Sequence, residues 1–166
     1  RGVLETALID GNTTLGADAE AGRAYVQQAI DAGDTEAMRW LGMALINGKT
    51  DLGADAEGGR ASMQQAIDAG DTHAMLWLGQ TLINGNTTLG TDAEGGRAYI
   101  QQANDAGDTN AMRWLGMALI TGKTKLGADA EGGRASMQLA ITAGATDAMR
   151  WLGHTRRNGI IMLGSL

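Results

Sequence analysis

The chain has 166 residues, a formal net charge of −6, four tryptophans, and no cysteine, proline or phenylalanine. Without cysteine there is no disulfide framework and no thiolate metal site, and the acidic balance argues against a surface that neutralises nucleic-acid phosphates. No apolar run approaches the roughly 20 residues needed to insert across a bilayer, and the length suits one domain with a continuous core.

Taken from its beginning, the chain opens within a helical pattern. Residues 1–11, RGVLETALIDG, align with MRWLGMALING at 38–48, so residues 1–10 are read as a helix. There is neither an initiator methionine nor a signal peptide, so the sequence reads as a fragment or as a processed, exported chain, with its compartment open. Eight further helices are predicted near 18–32, 34–47, 55–69, 71–84, 92–106, 108–121, 129–143 and 145–158. In the helix from 34, Ala37, Leu41, Ala44 and Leu45 form one apolar face at helical spacing. Asp34 or Thr35 can cap its start, and Gly48 sits where a left-handed residue is wanted at its end. The connection GKTDLGA offers Leu52 as an apolar anchor. In the helix from 55, Asp55 is the expected cap, Met63, Ala66 and Ile67 are the buried stripe, and Gly70 is the stop. Gly58 and Gly59 are expected to allow a neighbouring backbone to approach, and Glu57 with Arg60 to form a surface pair.

The same unit recurs. Trp40, Trp77, Trp114 and Trp151 stand 37 residues apart within AMRWLG, AMLWLG, AMRWLG and AMRWLG, the mark of a solenoid built from one supersecondary unit. Residues 12–79 and 86–153 agree at 56 of 68 positions, so a two-unit block has been copied. The short link after Gly70 makes neighbouring helices antiparallel. The units span approximately 1–33 (partial), 34–70, 71–107, 108–144 and 145–166 (partial, with an apolar tail) within one domain, 1–166.

The run Asp55, Ala61, Ala66, Gly70, Ala74, Leu78, Gly79 and Gly85, with equivalents in the other units, resembles the Sel-1-like repeat family, a branch of the tetratricopeptide-like solenoids. The resemblance covers nearly the whole chain. It departs in the inter-helix loop, where Leu52, Leu89 and Leu126 stand for the more usual valine, and in the second helix, where only Tyr25 and Tyr99 remain aromatic. It implies an all-α, right-handed α-solenoid of antiparallel helix pairs, about nine helices in all. It also implies a scaffold for other proteins, with no catalytic residue.

Differences between units mark a candidate working face. Positions 36, 39, 43 and 47 and their equivalents change while the apolar stripe does not. At about 100° per residue they fall in one narrow arc opposite that stripe, flanked by the tryptophans. The expected partner-binding set is Arg39, Trp40, Met43, Leu76, Trp77, Gln80, Arg113, Trp114, Met117, Arg150, Trp151 and His154. Trp and Arg are enriched at binding hot spots, and the resemblance places first helices on the concave side. An unconstrained solvent face also drifts, and tryptophan also serves as half-buried packing; both readings stand on the sequence alone.

Other motifs carry less. GMALINGKT at 42–50 has one residue too many between its glycines for a phosphate-binding loop and begins within a helix. His73 and His154 occupy different positions in distant units, so no metal or catalytic pair is expected. Asp55 and Glu57 are explained by capping and the helix dipole. Asn12-Thr13-Thr14 and Asn86-Thr87-Thr88 fit a glycosylation pattern that is common by chance. No catalytic, cofactor or metal site is expected, and the chain is not read as an enzyme.

Neither end looks like the polar capping repeat that solenoids use. Val3, Leu4 and Leu8 at the start, and Ile160, Ile161, Met162 and Leu163 at the finish, are apolar; the tail is read first as folding back over the last helix as a cap, and alternatively as offering its apolar face to the open N-terminal end of another copy. Two functions follow: a soluble scaffold that holds a protein or peptide along its first helices, or a subunit that stacks head-to-tail into a ring or filament.

Overall fold

The computed structural model describes residues 19–157. Among them are eight α-helices and no strand: α1 (Ala19–Asp31), α2 (Thr35–Asn47), α3 (Ala56–Asp68), α4 (Thr72–Asn84), α5 (Ala93–Asp105), α6 (Thr109–Thr121), α7 (Ala130–Thr142) and α8 (Thr146–Arg157). Each boundary falls within a residue of expectation. The helix read at 1–10 lies outside the described residues.

The starts and stops are local chemistry. The Asp34 carboxylate accepts from the Ala37 N–H at 3.1 Å, and the Asp55 carboxylate from the Gly58 N–H at 2.9 Å, each satisfying a donor the helix leaves without a partner. Asp71, Asp92, Asp108 and Asp129 do the same for their helices. Gly48 closes α2 in the left-handed region, φ 61° and ψ 24°, where a side chain meets a steric penalty.

Contacts divide the chain into two compact bodies. The first runs to Ala74 and includes Gly85–Gly90; the second comprises Met75–Asn84 and everything from Thr91 onward. In the first body α2 and α3 form an antiparallel pair with α1 on its other side. Val26, Ile30, Leu41 and Leu45 are its core, and Leu52 packs against them as expected. Thr88 donates its hydroxyl to the Ile46 carbonyl at 2.8 Å, tying a loop to the end of α2. In the second body α6 and α7 are the tightest pair, flanked by α5 and α8. Met112, Met137, Ala140 and Ala148 form one cluster of its core.

Two glycine expectations separate. A Cβ on Gly59 would meet the Gly42 carbonyl oxygen at 2.9 Å and Ile46 Cγ1 at 2.7 Å, so backbone approach does explain it. Gly58 has another reason: a Cβ there would strike the Asp55 carboxylate that caps the same helix. The Glu57–Arg60 pair does not form. Ion pairs among the described residues include Arg39–Asp71 and Arg150–Asp147. Glu57 and Arg60 are both exposed, where Coulomb gain hardly exceeds the entropy of holding two long side chains together.

One core position breaks the repeat. Asn104 stands where other units carry Ile30, Ile67 and Ile141; it is 6% exposed, and its Oδ1 has no hydrogen-bond partner. A buried acceptor left unmatched forfeits its solvation. Asn104→Ile is therefore expected to raise stability by about 1–2 kcal/mol, seen as a higher denaturant midpoint with unchanged slope. A lower midpoint would refute this account.

Candidate functional site

The first helices of the second body, α6 and α8, place two tryptophans at one cleft. It has a volume of about 590 Å³ and is lined by Trp114, Met117, Ala118, Ile120, Thr121, Lys123, Thr124, Trp151, His154 and Thr155. On α6, Ala111, Met112, Leu115, Gly116, Ala118 and Leu119 are buried, which leaves Arg113, Trp114 and Met117 half-buried on the remaining arc. Threonine hydroxyls on the wall satisfy nearby backbone. Thr121 donates to the Met117 carbonyl at 2.8 Å, and Thr155 to the Leu152 carbonyl at 3.0 Å.

The cleft brings together Trp114, Met117, Trp151 and His154 of the sequence-predicted set. Arg113 lies at its edge, with Nη1 donating to the Met117 sulfur at 3.7 Å. Arg150 is exposed and bound instead to Asp147, one turn earlier on α8. On α4, Leu76, Trp77 and Gln80 are half-buried. In the first body Arg39, Trp40 and Met43 are also half-buried. Trp40 packs onto the core, and Arg39 pairs with Asp71 at 3.6 Å. Val3, Leu4, Leu8, Ile160, Ile161, Met162 and Leu163 lie outside the described residues.

Sequence reading passed over Lys123, Thr124 and Thr155, while Thr121 is the equivalent of the variable position 47. Lys123 and Thr124 belong to the loop after α6, and the unit comparison had been confined to the first helix. Reading that comparison on through the loop raises Lys49, Asn86 and Lys123 as one variable position. The same comparison carried to the last turn separates α8 from its relatives. Leu45, Leu82 and Leu119 become Arg156, and Ile46, Ile83 and Ile120 become Arg157. Both arginines are exposed, so α8 does carry a polar last turn, contrary to expectation.

Among the described residues no three His, Cys, Asp or Glu side chains gather as metal ligands, and no helix is long and apolar enough to cross a membrane.

No protein-family model matches the chain, and no curated protein matches it. Among solved structures it is similar to the Sel1 repeat protein from Oxalobacter formigenes, at 22% identity and a TM-score of 0.65 over 93% of this chain. It is also similar to c5321, a protective antigen present in uropathogenic Escherichia coli strains displaying an SLR fold, at 20% identity and a TM-score of 0.67 over 95% of this chain. The chain spans 61% of the length of the first and 33% of the second. The likeness runs along nearly all of the sequence and agrees with an all-helical chain of paired helices: this chain has the all-α solenoid fold of Sel1-like repeat proteins.

Proposed function

We propose that the chain is a non-enzymatic scaffold that holds a protein or peptide segment along its first helices, with the cleft between Trp114 and Trp151 as a principal contact. The observation that carries this reading is the convergence of two tryptophans and Met117 around one opening. Each is half-buried, so each keeps apolar area to cover on binding. Aromatic side chains give much contact area for little lost rotamer freedom, and sites of this kind supply most of the energy of an interface.

Peptides selected against the wild-type chain from a displayed random library should shift the indole N–H resonances of Trp114 and Trp151. Replacing both tryptophans by alanine should weaken those peptides at least about tenfold, with helical content unchanged by circular dichroism. Peptides that move neither indole signal would contradict the reading.

Head-to-tail stacking is the weaker alternative. A second copy docking on α8 as helices dock within the chain would cover Arg156 and Arg157, which occupy core positions of the repeat, and desolvating two guanidinium groups without partners is costly.

A further inference from the structure

Arg39 and Arg113 are equivalent residues of the repeat, and they differ in what faces them. Arg39 Nε lies 3.6 Å from Asp71 Oδ2, the carboxylate that also caps α4 by accepting from the Ala74 N–H at 3.1 Å. The Asp71 side chain is only 8% exposed, so this is a sheltered pair. The residue thirty-two positions beyond Arg113 is Ala145, not aspartate. Arg113 is half-buried all the same, and among the described residues it has no ion pair; its acceptor is the Met117 thioether at 3.7 Å. Sulfur of this kind is a weak acceptor, so a guanidinium drawn partly out of water here lacks the anion that its counterpart has.

The surroundings select the missing group. Met117, which touches Arg113, is also a wall of the Trp114–Trp151 cleft, and that wall contains Lys123 and His154 but no aspartate or glutamate. The chain as a whole is acidic, at −6, but its carboxylates lie away from this wall.

We infer that the cleft takes an extended peptide segment in which an apolar side chain stands beside a carboxylate, the apolar group covering Trp114 and Trp151 and the carboxylate pairing with Arg113 where Ala145 leaves the position open. This rests on the cleft being a binding site, and it adds the charge of the ligand. A planar guanidinium meets a carboxylate through two parallel hydrogen bonds. The pairing therefore sets orientation as well as affinity, and Lys123 adds a longer-range attraction that salt weakens.

Three hexapeptides test it: alternating leucine and glutamate, the same with glutamine for glutamate, and the same with lysine. Binding is read by fluorescence anisotropy and by the indole N–H signals of the full chain. The glutamate peptide is expected to bind at least about tenfold more tightly than the glutamine peptide, with the lysine peptide weakest. Arg113→Gln should remove that preference, bringing the glutamate and glutamine peptides to the same affinity. Ala145→Asp should weaken the glutamate peptide about tenfold by supplying the carboxylate from within, while raising the melting temperature, since it restores a helix cap. That opposite movement of affinity and stability is what a merely structural arginine would not produce. Equal binding of the glutamate and glutamine peptides at the indoles, or an Ala145→Asp variant that binds as wild type, would overturn the carboxylate pairing and leave the cleft standing. No indole shift with any of the three would overturn both.

Discussion

Leu119→Arg is expected to destabilise the chain by about 4–5 kcal/mol, enough to unfold the second body at room temperature, whereas Arg156→Leu should change stability by no more than about 0.5 kcal/mol. The two substitutions exchange the residues found at one repeat position. Leu119 is 1% exposed, within the packing of α6. A guanidinium there has neither water nor a carboxylate, and an unpaired buried charge is among the most expensive changes a core can receive. Arg156 is exposed on α8 and surrounded by solvent. Circular dichroism and denaturant titration of both variants check the pair. A folded, wild-type-like Leu119→Arg chain would mean that α6 is not packed as described.

Gly79→Ala and Gly153→Ala should move stability in opposite directions, although they are the same substitution at equivalent positions. At Gly79 a new Cβ would sit 2.5 Å from Ile100 Cγ1 and 2.7 Å from the Gly96 carbonyl oxygen. The isoleucine has some freedom to turn, but the carbonyl belongs to α5 and moves only if the helix does. Forcing the two helices apart is expected to cost about 3 kcal/mol, more than the roughly 0.5–1 kcal/mol that alanine gains within a helix. Gly153 has nothing within 4 Å of that Cβ, so only the gain remains, about 0.5–1 kcal/mol. Denaturation midpoints for the two variants decide the matter, and a Gly79→Ala chain as stable as wild type would refute the crossing.

The helices and their ends were readable because their determinants are short-range. An aspartate three residues before the N–H it accepts from, as with Asp34 and Ala37, leaves its mark within one turn. A glycine such as Gly48 marks a stop through its own dihedral angles. Repetition then multiplies each weak signal, since one cap is common by chance and three at a spacing of 37, Asp34, Asp71 and Asp108, are not. The apolar stripe Met63, Ala66 and Ile67 was legible for the same reason, and all three are buried.

The candidate site was legible only in part. Variation at 36, 39, 43 and 47 marks one arc of the first helices, but helical periodicity treats every unit alike. Arg39 and Arg113 look the same on such a wheel. One is bound to Asp71, whereas the residue equivalent to that aspartate for the other is Ala145, a difference 32 residues away in the chain whose meaning appears once the helices are packed. Lys123 was missed because a loop residue has no periodicity to place it beside Trp151. Asn104 breaks the repeat in the sequence, but only the packed neighbours show that it is buried with Oδ1 left without a donor.

Helix positions, caps, the repeat and the buried stripe thus came from the order of residues alone, because each depends on neighbours no more than a turn or a loop away. Which tryptophans share a cleft, which arginine lacks an acid and which glycine is crowded came from the packed helices. Those properties belong to pairs of residues distant in the chain, and a repeat that is nearly identical in every unit conceals them until the few unequal positions meet.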